Sequence, residues 1–341
     1  MQLYNKVDKK VLEELLDKST EPRTTISFYK YHQIEDPMAF RDFLYLTLSE
    51  VGVLGRIYVA NEGINAQISV PTHQLDLFRT TLYSIDWLNN CRLNLAVDDD
   101  GKSFIKLKIL VRNKIVADGL NDATFDASNV GNYLKATEFN ELIEQPDTIL
   151  IDMRNHYESE VGRFKNAITP DVDTFRDSLP IITDIIAGKE DKNIVMYCTG
   201  GIRCEKASAY FKHQGFRKVH HLEGGIINYV RQVENEAIEN KFIGKNFVFD
   251  KRLGERISED IIAVCHQCGA ACDDHVNCKN EGCHLLFIQC KSCATEFNDC
   301  CSSECQDFIA LPIETQRALR KGQPARNVYK KGRSPKLLYK K

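Results

Sequence analysis

Apolar residues in the first 115 positions recur with two periods, one near two and one near 3.6. Residues 24–31, rich in β-branched and aromatic side chains, read as a strand. Residues 37–49 place Phe40, Phe43, Leu44 and Leu48 on one side of a helix. Two more strands, 55–60 and 64–70, flank Asn61, Glu62 and Gly63, which read as a hairpin-like turn. A second helix falls near 72–84 and a last strand over 104–110. The order β-α-β-β-α-β predicts a ferredoxin-like α+β domain over 22–115. A polar leader, 1–21, precedes it, with one short helical piece at 11–16.

Beyond a connector at 116–136 the pattern changes. A capped helix start at 137–143 leads to short apolar strands at 148–152, 194–197 and 218–222, with helical pieces at 171–188 and 204–214. This alternation predicts a three-layer α/β domain with a mainly parallel sheet over 137–240. Ligands in such sheets sit at the carboxyl ends of strands, where Asp152 and Cys198 fall. A charged segment follows, with a further strand expected at 246–250.

The stretch from Cys198 to Arg203 is the main candidate for chemistry. An apolar strand ends in a cysteine, Gly200 and Gly201 let the chain turn, and Arg203 and Cys204 open a helix. Loop amides facing inward stabilise a thiolate or bound anion and lower the cysteine pKa. The competing reading is a buried structural cysteine before an ordinary turn. The first domain shows no comparable set. Asn61, Glu62 and Asn65 suit either a ligand-facing turn or an ordinary one, and Lys106, Lys108, Arg112 and Lys114 either a solvated edge or a nucleic-acid contact.

Composition adds a third region. Of 13 cysteines, ten lie between 265 and 305. The pairs Cys265/Cys268, Cys278/Cys283, Cys290/Cys293 and Cys301/Cys305 have metal-ligand spacing, so a module over 241–310 is expected to hold two structural zinc ions. Interleaved and sequential pairing of these four pairs both satisfy the spacing. Cys272, Cys300, His266, His275 and His284 are reserve ligands, and an iron–sulfur cluster is the chemical rival.

The net charge of −3 conceals an asymmetry: residues 311–341 contain ten Lys/Arg and one Glu, leaving −12 on the rest. Arg320, Lys321, Lys330 and Lys331, interleaved with Tyr329 and Tyr339, suit a polyanion such as RNA, against the alternative of a solvated tail. There is no run of about 18 apolar residues and no secretory pattern, so no membrane partner and a cytoplasmic location are expected.

The middle domain resembles a rhodanese domain. Asp152, Met153, Arg154 and Glu158 look like the signature after its first core strand, and 162–168 like the segment that follows, with Phe164 and Lys165 departing from the usual pattern. Cys198 to Arg203 matches the Cys-x4-Arg loop, and Leu222, Glu223, Gly224 and Gly225 the closing motif. Together with the first domain and the segments 265–270 and 280–290, nearly the whole chain resembles the bacterial rhodanese-domain tRNA uridine hydroxylases.

That resemblance implies oxygen-dependent hydroxylation of C5 of the wobble uridine to 5-hydroxyuridine, with molecular oxygen as co-substrate and the tRNA anticodon region as partner. No flavin or nicotinamide fingerprint is evident. Cys198 is the expected catalytic thiol, adding to C6 of uracil. Arg203 is expected to meet a phosphate or developing negative charge, with Asp152 orienting Arg203 or Arg154. Thr199, Gly200, Gly201, Ile202 and Arg154 are expected beside the substrate, and Cys204 either resolves an oxidised Cys198 or is core. The alternatives are a sulfurtransferase using a Cys198 persulfide and a non-catalytic RNA-binding zinc protein.

Overall fold

In the first domain the period-two pattern becomes a sheet with one greasy and one polar face. In a computed structural model, which describes residues 7–120 and 125–322 together with 332, 334 and 337, helix α1 (Lys9–Lys18) leads to strand β1 (Arg23–Tyr31). Helix α2 (Pro37–Glu50), strands β2 (Leu54–Ala60) and β3 (Gly63–Pro71), helix α3 (Leu75–Tyr83) and strands β4 (Asn94–Leu95) and β5 (Leu107–Val111) follow. Asp36 caps α2 by accepting from the amides of Met38 and Ala39, with Pro37 opening the helix. Phe28, Ile57, Ile64, Ala66 and Ile68 pack under Leu44, Leu48, Phe78 and Leu82 of the helices. Each such large side chain contributes roughly 1.5–3 kcal/mol.

The strand order is β4-β1-β3-β2-β5. The ferredoxin-like expectation holds with one correction. The strand beside β1 that closes the motif is the two-residue β4, whereas β5 adds to the opposite edge, parallel to β2. Two residues carry too little pattern to be read from sequence.

The middle domain is a parallel sheet in the order β6-β10-β9-β7. Its elements are β6 (Asn132–Leu134), α4 (Ala136–Ile143), β7 (Thr148–Asp152), α5 (His156–Ser159), β8 (Gly162–Phe164), α6 (Phe175–Ile186), β9 (Asn193–Tyr197), α7 (Ile202–His213), β10 (Lys218–Leu222) and α8 (Gly225–Glu236). Helices α6 and α7 pack on one face of the sheet, α4 and α8 on the other. The three-layer expectation is met. The span expected to be a connector contains the edge strand β6, and the charged stretch after 225 is α8, whose Ile226, Tyr229 and Val230 are buried.

The last region comprises β11 (Phe242–Asn246), β12 (Glu255–Arg256), β13 (His275–Asn277), β14 (Leu286–Ile288), α9 (Lys291–Glu296), α10 (Ser303–Ala310) and α11 (Ile313–Arg320). The strand expected at 246–250 lies earlier, because Phe242 registers opposite Phe164 of β8 and buries there. Residues 247–249 instead leave the sheet, and Val248 and Phe249 line a cavity. Among the described residues no helix is long and apolar enough to cross a membrane.

Polar contacts hold the three regions together. The Lys206 ammonium, 3% exposed, lies 2.5 Å from Glu62 and 2.9 Å from Asp118. Glu62 also accepts from the Ile115 amide, so this turn residue braces the domain junction. Arg92 pairs with Glu223, and the Val97 amide donates to Glu255 at 3.0 Å.

Candidate active site and metal centres

Strand β9 delivers Cys198 to the carboxyl edge of the sheet, and the chain turns at Gly201, whose φ of +101° suits glycine. The Gly201 amide donates to the Cys198 sulfur at 3.1 Å. From behind, the start of α8 holds the loop: the amides of Ile226 and Ile227 donate to the carbonyls of Cys198 and Thr199. Gly225 permits this approach, since a Cβ there would lie 2.5 Å from the Cys198 carbonyl oxygen.

Burial pushes the Cys198 thiol up. The thiol of Cys204, the charge of Arg203 and the amides of Cys204 and Gly201 outweigh it and bring the pKa down to about 6. Cys204 is fully buried among Ile151, Met153 and Phe211, and burial and its bond to Cys198 hold its own thiol well above the ordinary value. It is therefore placed as a protonated donor toward the Cys198 sulfur.

The cation differs from expectation. Arg203 makes a bidentate pair with Glu158 at 2.6 and 2.8 Å, and both side chains are buried. Burial favours the neutral acid, but Arg203 prevails and holds Glu158 below the usual carboxylate range. Arg203 thus has a carboxylate partner already, and Glu158, noticed only as part of a signature, holds it in place. Asp152 pairs with Arg154, not Arg203. Arg154 also donates to the Gly162 carbonyl and is completely buried, so it sits in the core below the loop, away from a substrate.

A cavity of about 470 Å³ opens over the loop, within the range of small-ligand sites. Cys198, Thr199, Gly200, Ile202 and Arg203 form one wall, Phe249 and Arg252 another. A third wall is the polar face of the first domain's sheet, including Ser27, Tyr29, Arg56, Tyr58 and Gln67, and Asn155, Tyr157 and residues 173–175 add to the lining. Tyr29 donates to Glu205 of α7 at 2.6 Å, and a Cβ on Gly201 would come within 2.9 Å of its hydroxyl. Sequence reasoning missed this wall. Its alternation, with Asn65, Gln67 and Ser69 outward and Ile64, Ala66 and Ile68 inward, was visible, but not the domain it would face.

Eight cysteines form two sets, Cys265/Cys268/Cys290/Cys293 and Cys278/Cys283/Cys301/Cys305, each with all four sulfurs within 4.8 Å of one another. The pairing is interleaved. Sulfur–sulfur distances of 3.7, 3.6 and 3.7 Å match the edge of about 3.8 Å expected for a tetrahedron with metal–sulfur bonds near 2.3 Å. That spacing fits one ion per set and is too close for a cubane cluster. In both sets an amide backs a ligand sulfur, Cys290 to Cys265 and Cys301 to Cys278, each at 3.4 Å. Cys272, Cys300 and the three histidines lie outside both sets.

Of the basic positions, Arg320 lies on α11 against Glu281, Lys321 follows it, and neither lines the cavity. Lys330 and Lys331, like Tyr329 and Tyr339, fall outside the described residues. Nearby, Leu337 is buried with Cys278 and Phe287.

Comparison with known proteins adds to this geometry. The UPF0176 acylphosphatase like domain matches residues 23–115, the rhodanese-like domain 135–232 and the rhodanase C-terminal family 243–306. The tRNA uridine(34) hydroxylase of Pectobacterium atrosepticum is 59% identical over 94% of this chain and 91% of its own length. This chain belongs to the tRNA uridine(34) hydroxylase family. The member from Escherichia fergusonii is 58% identical over 97% of this chain and 95% of its own, and that from Photorhabdus laumondii 57% identical over 94% and 92%. The loop, the polar sheet face and both cysteine sets all lie within the matched domains.

Proposed function

We propose that this chain hydroxylates C5 of uridine 34 in tRNA, using molecular oxygen, with Cys198 as the thiol that activates the base. Full-length identity to tRNA uridine(34) hydroxylases carries the reaction class. Cys198, with its pKa near 6, carries the chemistry. At neutral pH it is a thiolate. Addition of its sulfur to C6 of uracil uses the C5=C6 π pair and leaves an enolate with electron density on C5, the atom to be oxidised.

The Gly201 amide and the Arg203–Glu158 pair hold the thiolate before attack. Thr199, Gly200 and Ile202 meet the base edge-on from the same wall. Cys198 has no surface open to solvent, so attack accompanies displacement of the loop by the incoming base. Cys204 supplies the proton-bearing thiol that keeps the sulfur anionic, and it is also the nearest partner for an oxidised Cys198. The two cysteine sets hold zinc, which supplies rigidity to a module whose polar sequence builds little core of its own. The anticodon region of tRNA is the partner, met in the cytoplasm, and the tail's basic residues add phosphate contacts.

The deciding experiment is nucleoside mass spectrometry of tRNA from cells with and without the gene. A wobble uridine species heavier by one oxygen disappears without the gene and returns with wild type but not with Cys198→Ala. Unchanged nucleosides combined with brisk sulfur transfer from thiosulfate to a thiol would establish the persulfide reading instead.

A further inference from the structure

One register row crosses all five strands of the first domain's sheet. Asn94 of β4 lies opposite Ser27 of β1, Ser27 opposite Gln67 of β3, Gln67 opposite Arg56 of β2, and Arg56 opposite Lys108 of β5. At the usual spacing between strands this row spans about 19 Å. It begins at the cysteine loop, where the Asn94 amide lies 3.5 Å from the Gly200 carbonyl, and four of its five members line the cavity. It changes character along its length, from small neutral groups to two adjacent cations.

The neutral end has a fixed polarity. The Ile115 carbonyl can only accept, so the Asn65 amide nitrogen donates to it at 3.0 Å. Asn65 Oδ1 then accepts from Gln67 Nε2 at 2.5 Å. Gln67 Oε1 is left as an acceptor with no protein donor among the described residues, and the Ser27 hydroxyl beside it is also unengaged. An acceptor next to a hydroxyl donor complements the N3–H and an adjacent carbonyl of uracil. With the Gln67 oxygen set against position 3 of the ring, it accepts the N3–H of uracil and opposes the N3 lone pair of cytosine, so the selectivity lies in that register.

The cationic end is unneutralised. Arg56 and Lys108 are both exposed, stand directly opposite each other, and form no ion pair among the described residues. Like charges placed so are unfavourable in a sheet without an anion between or above them. The rest of the chain up to residue 310 is acidic, which sharpens the contrast.

We propose that this row is a binding track for a single-stranded RNA segment, with Gln67 Oε1 accepting N3–H of the target uracil and Arg56 and Lys108 taking phosphates of neighbouring nucleotides. It rests on the reading of this protein as a tRNA uridine hydroxylase and supplies its base recognition. The test uses full-length protein and anticodon stem-loop RNAs with uridine or cytidine at position 34, titrated at several salt concentrations. The double variant Arg56→Ser, Lys108→Ser is expected to bind about tenfold or more weakly and to lose about 1.4 from the slope of log K against log salt.

Gln67→Ala should leave that slope unchanged, lower kcat/KM on the uridine RNA by about 10- to 100-fold, and narrow the preference for uridine over cytidine in binding. Wild-type affinity and slope in the double variant, or undiminished uridine preference in Gln67→Ala, would overturn the track. Salt-dependent, uridine-preferring binding by a wild-type protein that leaves uridine 34 unmodified would support the track and refute the reaction. Tm of each variant confirms folding.

Discussion

Two populations of cysteine share this chain, and what surrounds the sulfur separates them. Cys198 has two amides and one neighbouring thiol directed at it and the charge of a buried arginine nearby, and its pKa falls to about 6. The eight clustered cysteines of the last region are gathered in fours around one another's sulfurs, 3.6–3.7 Å apart at the closest sulfur–sulfur contacts. The first arrangement stabilises one negative charge just beneath the wall of a cavity of small-ligand size. The second gathers four sulfurs whose repulsion as thiolates only a cation relieves. Reactivity and structural service thus arise from the same side chain through the number and sign of its neighbours.

Substitutions can break this comparison from either side. The largest effect is expected for Cys198→Ala, which should lower hydroxylation on the order of 10³-fold or more while leaving metal content unchanged. Substantial residual activity would show that the loop thiol is not the activating group. Next, Cys268→Ser should reduce bound metal measured by plasma mass spectrometry and cost about 3–5 kcal/mol in chemical denaturation. A full complement of metal in that variant would contradict a metal centre built on Cys268.

Arg203→Met strands the buried Glu158 carboxylate, a cost of about 3–5 kcal/mol. It also removes a positive charge that favours the Cys198 thiolate. Thiolate is the alkylated form, so the rate of Cys198 alkylation rises with pH through about 6 in the wild type. In Arg203→Met the midpoint should move up by ~1–2 units. Cys204→Ala should move it the same way by at least as much, since its thiol outranks the arginine in lowering the Cys198 pKa. An unmoved midpoint would leave Cys204 as packing alone. The smallest effect is expected for Cys272→Ala, which should retain all metal and cost about 1 kcal/mol, because its buried sulfur belongs to neither set.

Much of this organisation was legible in the chain. The strand ending at Cys198, the glycines behind it and the cysteine spacings are local features, and local chemistry decides them. What escaped reading was set by partners distant in sequence. Arg203 was expected to face an anion from outside, yet Glu158, 45 residues earlier, is that anion. Gln67 and Arg56 attract no notice in the sequence because nothing near them announces that the cysteine loop lies opposite. Phe242 displaced the expected strand because Phe164, buried on β8, sets its register. The pairing of the cysteines was open for the same reason, since spacing within a pair says nothing about which pairs meet.

That interleaving has a consequence for the order in which the protein is made. Sequential pairing would complete the first metal centre when Cys283 leaves the ribosome. Here the first set waits for Cys293 and the second for Cys305, with Cys278 and Cys283 held inside the span of the first. Neither ion can find a full set of ligands while the other's chain segment is still missing by more than a dozen residues. Domains emerge from the N-terminus and fold as they appear, so the cysteine loop and its sheet are already synthesised when metal is captured. With zinc in both sets, as proposed, its scarcity during translation would leave a chain finished in its first two-thirds and open at its end, a target for proteases that a fully loaded molecule does not present.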